Sequence, residues 1–291
     1  MPEQPGSTMR VHRPAPGVLA FYDGRRPRAG TVEPDWLELA WVLGIASYAV
    51  VGGDEALVYD THMTLAHAAV VRDTLRGLGV TRFRVMLSHW HRDHVAGNAV
   101  FADCPILAQP LTVEILAAQR AAIEGGAPPI APLVMPNGTV ADGEVLRVGG
   151  IEVVVRHFDV HSRDGTVLML PGGLMLAGDT LEDPVTYVSE PDRLEAHLAG
   201  LDRMAALGVG RILPNHGAEA RIAAGGFGPE LIDATRRYVE RLQRCRDDPA
   251  LAALPLAEFI AADLAIGTVE CFAPYEQVHA ENVARVIAAR A

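Results

Sequence analysis

Residues 88–98, Ser-His-Trp-His-Arg-Asp-His-Val-Ala-Gly-Asn, constrain this chain more than any other stretch. They follow a mostly apolar run, 83–87, that reads as a buried strand, and they place four candidate metal ligands within six positions. Alternate residues of an extended chain point the same way, so His89 and His91 can present imidazoles to one ion. Past the strand end the backbone turns, and Asp93 with His94 can face a second ion nearby. Imidazole and carboxylate together suit zinc and neighbouring first-row metals, whereas calcium needs mostly oxygen donors. The plain alternative is a solvated polar cluster at a strand end. Three histidines and an aspartate on this spacing argue against it.

Composition narrows the class. The 291 residues suffice for one large domain, and nothing demands a split, so 17–291 reads as a single domain with C-terminal helices. Hydrophobic residues make up 49% and charged residues 21%, a balance that supports a sizeable core. The net charge of −11, with no block of basic residues, excludes the basic groove that nucleic-acid binding requires. Cys104, Cys245 and Cys271 are odd in number and far apart, which predicts reduced thiols in a cytoplasmic protein. Residues 1–16, polar and proline-rich without an apolar core, read as a flexible lead-in rather than a secretory signal. No apolar stretch approaches a membrane span, so a membrane is not an expected partner. A homodimer is compatible with all of this.

Along the chain, strands are predicted at 18–22, 46–51 and 56–60, the last two joined by Gly52-Gly53-Asp54 as a hairpin. Residues 25–34 read as a loop. A helix over 65–78 should bury Ala66, Ala69, Val70 and Leu75. Asp60 ends its strand either as a turn residue or as a group beneath the site, and His62 and His67 read as surface or satisfied core histidines. Residues 98–101 continue as a short helix, 105–108 as a strand and 111–123 as a helix. The Pro/Gly-rich stretch 124–136 is a linker or a substrate-facing loop. Two further hairpins, 145–148 with 151–155 and 166–170 with 174–177, repeat the pattern of the first half, strands leading to acidic residues at a strand end. This predicts an α+β fold, two mixed sheets face to face with helices outside. An amphipathic helix over 192–207, a strand over 211–214 and helices over 229–246, 256–264 and 275–289 complete the chain.

His-Trp-His-Arg-Asp-His at 89–94 resembles the HxHxDH motif of the metallo-β-lactamase-fold hydrolases. The resemblance implies a four-layer αββα sandwich, a third histidine after a strand, a bridging aspartate and a last histidine. His161, in Val160-His161-Ser162-Arg163-Asp164-Gly165, matches the third histidine, with His157 its competitor. Asp179, in Gly178-Asp179-Thr180, matches the bridging carboxylate, and His216, in Asn215-His216-Gly217, the final ligand. By that resemblance His89, His91 and His161 hold one metal, Asp93, His94 and His216 the other, and Asp179 touches both. In relatives, an aspartate placed like Asp60 orients a ligand histidine.

The chemistry that the resemblance implies is hydrolysis of an ester, lactone, thioester or amide in a small-molecule substrate. Two zinc ions, with iron or manganese as alternatives, share a hydroxide that attacks the carbonyl. Asp93 would orient that hydroxide and pass its proton to the leaving group. Tyr187 is the candidate oxyanion donor, as in lactonases, although eight residues from Asp179 is a longer spacing than theirs. Asp179 separates the chain from true β-lactamases, which carry cysteine or serine there. The remaining alternatives are a glyoxalase II-like thioesterase, without its basic C-terminal cluster, and a mononuclear-iron oxidoreductase resembling the persulfide dioxygenases. Pocket walls are expected from 125–139 and from helices around Phe227, Phe272 and Tyr275.

Overall fold

The computed structural model describes residues 8–25 and 35–289. The first sheet runs in chain order: β1 (Arg10–Ala15), β2 (Val18–Asp23), β3 (Ile45–Gly52), β4 (Glu55–Tyr59), β5 (Arg82–Met86), β6 (Ile106–Ala108) and β7 (Gly138–Thr139). β1 to β4 pair antiparallel, whereas β4 to β7 pair parallel and so need crossovers. Helix α1 (Trp36–Leu43) precedes β3. The crossovers are α2 (Leu65–Gly77), α3 (Arg92–Val95) and α4 (Pro110–Glu124).

The second sheet has the order β12-β11-β10-β9-β8, with β8 (Val145–Val148), β9 (Ile151–His157), β10 (Thr166–Leu170), β11 (Leu174–Gly178) and β12 (Arg211–Pro214). Its last pair is parallel, joined through α5 (Leu194–Ala205). The C-terminal part is helical: α6 (Glu219–Ala223), α7 (Glu230–Arg244), α8 (Pro249–Ala252), α9 (Leu256–Phe259), α10 (Ala261–Ala265) and α11 (Tyr275–Ala288). No helix among the described residues is long and apolar enough to cross a membrane.

Alternation along the central strands produces the layers. Val18, Ala20 and Tyr22 of β2, Tyr48 of β3 and Leu57 and Tyr59 of β4 join the core between the sheets. Leu19, Phe21, Ala49 and Val58 face the other way and pack with Ala68, Val71 and Leu75 of α2. Both faces of these strands are buried, which is why their sequence reads as a continuous apolar run rather than a half-polar one. The result is the predicted αββα sandwich.

Three expectations need correction. Residues 10–15 are not a flexible lead-in: β1 pairs with β2, and Arg10 and His12 both engage Glu219 of α6. Residues 1–7, and all but Arg25 of the loop at 25–34, lie outside the described residues. The buried face of α2 is His67, Ala68, Val71 and Leu75, one step round from the predicted stripe. Burial of His67 turns the helix, because its Nε2 meets Asp23 at 2.9 Å and its Nδ1 meets Thr64 Oγ1 at 2.6 Å. The helix predicted over 256–264 is two short ones, broken where Ile260 leaves helical geometry.

Three phenols fasten the sheets. Tyr48 Oη donates to Pro214 O at 2.5 Å, Tyr59 Oη to Thr166 O at 2.5 Å and Tyr22 Oη to Gly217 O at 3.0 Å. Each crosses the apolar interior to a carbonyl of the opposite half, where water cannot substitute. Replacing Tyr48 by Phe is expected to strand the Pro214 carbonyl and lower stability by about 1–3 kcal/mol, read by chemical denaturation.

Asp23 supplies a pH dependence. Burial works to raise its pKa, but His67, Thr8 and the Gly24 N–H hold it at about 2. Its stabilisation is therefore complete above about pH 4 and is lost as pH falls toward 2, more steeply than in an Asp23→Asn variant. Acid titration of the two proteins followed by circular dichroism checks this.

Candidate metal centre

Five chain segments end at one point between the sheets. β5 leads to Ser88 and His89. His91 is the N-cap of α3, whose single turn carries Asp93 and His94. β11 ends at Gly178 with φ +57°, and a Cβ there would lie 2.9 Å from Ser88 Cβ, so glycine is needed to bring Asp179 in. β12 delivers Asn215 and His216. His161 follows β9 with φ +68°, and Asp60 follows β4 with φ +65°. Left-handed backbone at non-glycine residues marks positions that the surroundings hold against strain.

All seven predicted ligands converge, in two groups that share Asp179: His89, His91 and His161, and Asp93, His94 and His216. In the first group His89 Nε2 and His161 Nε2 each lie 2.9 Å from His91 Nδ1, and 3.2 Å from one another. Asp179 Oδ2 lies 3.6 Å from His89 Nε2 and 3.7 Å from His161 Nε2. In the second group it lies 3.0 Å from His94 Nε2 and 3.5 Å from His216 Nε2, while Asp93 Oδ2 is 3.3 Å from His216 Nε2. Ligands about 2.0–2.1 Å from a tetrahedral zinc stand roughly 3.3 Å from each other, the spacing seen here.

Four of the five outer nitrogens are already committed. The Ser88 hydroxyl donates to Asp60 Oδ2 at 2.6 Å, so it accepts from His89 Nδ1 at 2.9 Å. His94 Nδ1 donates to Asp60 Oδ2 at 3.0 Å, His161 Nδ1 to Tyr187 O at 2.9 Å and His216 Nδ1 to Gly44 O at 2.7 Å. The remaining nitrogens therefore face inward. Burial, then neighbouring imidazoles, pushes His89 well down, and burial with the His161 imidazole takes His91 to about 3. Burial opposes charge at His161 as well, but Glu182 and Asp179 outweigh it and raise its pKa. Burial opposes charge at His94 and His216 too, but Asp179 and Asp93 outweigh it, raising His94 strongly and His216 to about 9. Protons stand there where a cation would be favoured. Asp179 Oδ1, buried, has no hydrogen-bond partner. The donor set fits two first-row divalent ions.

Asp60 proves to be a centre of the support. Its carboxylate accepts from Ser88 N at 2.7 Å, Ser88 Oγ, His94 Nδ1 and Asn215 Nδ2 at 2.6 Å. Sequence reasoning missed Asn215 and also Glu182, which approaches His161 Nδ1 at 3.4 Å. A carboxylate three residues after Asp179 was the available signal. His157, the competitor of His161, instead bonds Arg163 O at 2.8 Å.

A cavity of about 290 Å³ opens onto Asp93, His91, His216 and Asp179. Trp36, Leu39 and Leu43 of α1, Trp90, Tyr187 and Val278 give it apolar walls, with Glu182 and Glu281 also on its surface. Helix α1 was not predicted, although Asp35 caps it by accepting from Glu38 N at 2.9 Å. The stretch 125–139 does not line this cavity; it sits behind Trp36, whose Nε1 donates to Pro128 O at 2.8 Å. Phe227, Phe272 and Tyr275 do not line it themselves, but α11, which begins at Tyr275, does so as expected through Val278 and Glu281.

The sequence profile of the metallo-beta-lactamase superfamily matches residues 40–216. An atrochrysone carboxyl ACP thioesterase of Aspergillus novofumigatus is 26% identical over 75% of this chain and 65% of its own length. One from Aspergillus terreus is 29% identical over 67% of this chain and 56% of its own. The chain thus spans two thirds or less of these relatives. A metallo-beta-lactamase from Pontibacter korlensis superposes with a TM-score of 0.57 at 15% identity, covering 77% of this chain and 99% of that one, a likeness of fold.

Ions held by such a set stabilise the folded state. Stripping the protein with a chelator should lower its melting temperature, and zinc at 100 times its Kd should restore about 2.7 kcal/mol per site. Calorimetry with and without added metal measures this.

Proposed function

The chain belongs to the metallo-beta-lactamase superfamily, whose profile covers more than half of it, and on that footing we propose that it is a metal-dependent thioester hydrolase with two zinc ions. The observation that carries the reading is the inward convergence of five imidazoles and Asp179 at ligand spacing beneath a cavity with apolar walls. Thioester is the bond class because the two relatives described above are named thioesterases. Charge balance favours two ions. Asp60, Asp93, Asp179 and Glu182 are four carboxylates whose ion-pair partners among the described residues are all histidines. With neutral imidazoles the group carries four negative charges, which two divalent ions offset.

His89, His91, His161 and Asp179 would hold one ion, and Asp93, His94, His216 and Asp179 the other. When bound, such ions polarise a carbonyl and lower the pKa of water from about 15.7 toward 7. The remaining work falls to the chain. Asp93 has 17% of its side chain exposed, against 4% for Asp179, so it reaches the cavity and can take the proton of an attacking water. Attack at the acyl carbon breaks the C–S bond, and Asp93 returns the proton to the departing sulfur, leaving a carboxylic acid and a thiol. The Tyr187 hydroxyl oxygen accepts from Arg285, which leaves its own proton for the acyl oxygen. Burial raises the Tyr187 pKa, keeping that proton in place at neutral pH. The apolar walls would hold the acyl group and exclude competing water.

Metal quantitation on the purified protein should give two equivalents of a divalent ion. A panel of thioester, ester, lactone and β-lactam substrates should show thioester preferred, and turnover of β-lactam alone would refute the assignment. Asp179→Ala should abolish most activity and reduce bound metal toward one equivalent; undiminished turnover with two metals would remove its bridging role. Asp93→Asn should lower kcat by about 10²–10⁴-fold with little change in melting temperature.

A further inference from the structure

The family match ends at His216, yet the geometry of His161 depends on a helix well beyond it. The left-handed backbone of His161 is strained by about 1–3 kcal/mol, so contacts must hold it. Its carbonyl accepts from Ser189 N at 3.1 Å and from the Ser189 hydroxyl. Its Nδ1 lies between Tyr187 O at 2.9 Å and Glu182 Oε1 at 3.4 Å. Glu182 is only 2% exposed. Its Oε1 also accepts from Tyr187 N at 2.8 Å and the Thr186 hydroxyl at 3.2 Å, and its Oε2 from Tyr275 Oη at 2.9 Å.

Tyr275 begins α11, and the same helix grips the rest of this segment. Asn282 Oδ1 accepts from Val188 N at 2.8 Å, and its Nδ2 donates to Thr186 O at 3.0 Å. Arg285 donates to Ser189 O and to Tyr187 Oη. Residues 182–189 thus form a clamp, with His161 on one side and α11 on the other.

We propose that Glu182, held by Tyr275, is a positioning residue for His161, and that through it α11 sets the affinity of the first ion position. The Tyr187 carbonyl fixes the tautomer of His161, and a carboxylate beside the outer nitrogen of a ligating imidazole strengthens it as a donor, typically by about 10–100-fold in metal affinity. Among the described residues Glu182 pairs with no guanidinium, so its charge acts on the imidazole and the ion beyond it. The inference rests on the metal centre of the proposed function and not on the thioester substrate. A protein that binds two ions yet cleaves no thioester still tests it.

The experiment compares the full-length parent with Glu182→Gln, Glu182→Asp and Tyr275→Phe. Zinc affinity of each site is measured by chelator competition, the cobalt-loaded protein gives an absorption spectrum, and the metal-free protein gives a melting temperature. Glu182→Gln should weaken one of two sites by about 10–100-fold, leave the other unchanged and alter the cobalt bands, with the metal-free melting temperature at the parent value. Glu182→Asp should recover part of the affinity, and Tyr275→Phe should weaken the same site by a smaller factor. Parent-like affinities and cobalt bands in Glu182→Gln overturn the proposal, as does an equal loss at both sites with a lowered metal-free melting temperature. If Glu182→Gln does not fold, unchanged affinities in Tyr275→Phe overturn it. A parent protein that takes up no ion overturns the metal centre, and this inference with it.

Discussion

The buried carboxylate of Asp60 is the contact on which the rest of the centre depends. It joins the end of β4 to the start of the motif through Ser88, to α3 through His94, and to the second sheet through Asn215. Removing it would release two histidines at once, His94 directly and His89 through the Ser88 hydroxyl. Its position requires a left-handed turn immediately after a strand, and the Asp60 N–H bond to Met86 O at 3.0 Å helps hold that turn. A single anion in an apolar interior is costly by itself. Four donors make it tolerable, and the same four donors are the framework of the site.

That framework works only because both sheets are rigid against each other. Alternate residues of β2, β3 and β4 fill two separate cores, and the inter-sheet core carries the three tyrosine bonds. Two of these bonds end at Pro214 and Gly217, on either side of Asn215 and His216. His216 is therefore held from the opposite sheet as well as from its own strand. Gly44 adds a third restraint. Its carbonyl orients His216, and its φ of +78° lets α1 stop where that carbonyl is needed. Support for the candidate metal centre and support for the fold are the same set of bonds.

That seven candidate ligands would converge was readable in the chain because the spacing at 89–94 resembles a known metal-site motif, and that resemblance pointed on to His161, Asp179 and His216. The paired sheets were readable because hairpins at 52–54 and 149–150 separate apolar runs of strand length. What could not be read follows physical causes. β1 is a short edge strand with polar residues and a proline, so its pattern resembles a tail. The face of α2 was displaced because periodicity counts His67 as polar, while Asp23, far away in sequence, makes it a core residue. Helix α1 is too short and too uniformly apolar to show a stripe, yet it forms a wall of the cavity. Glu182 was missed because its partners, Tyr275 and His161, come together only in three dimensions.

The cross-sheet tyrosines have an optical consequence. Burial raises the pKa of Tyr48 and Tyr59 far above that of a free phenol, with nearby carboxylates adding to it. Both form tyrosinate far less readily than a free phenol while the layers remain closed. In strong alkali their ultraviolet absorbance change is therefore a clock for separation of the sandwich, and its rate measures how often the two halves part.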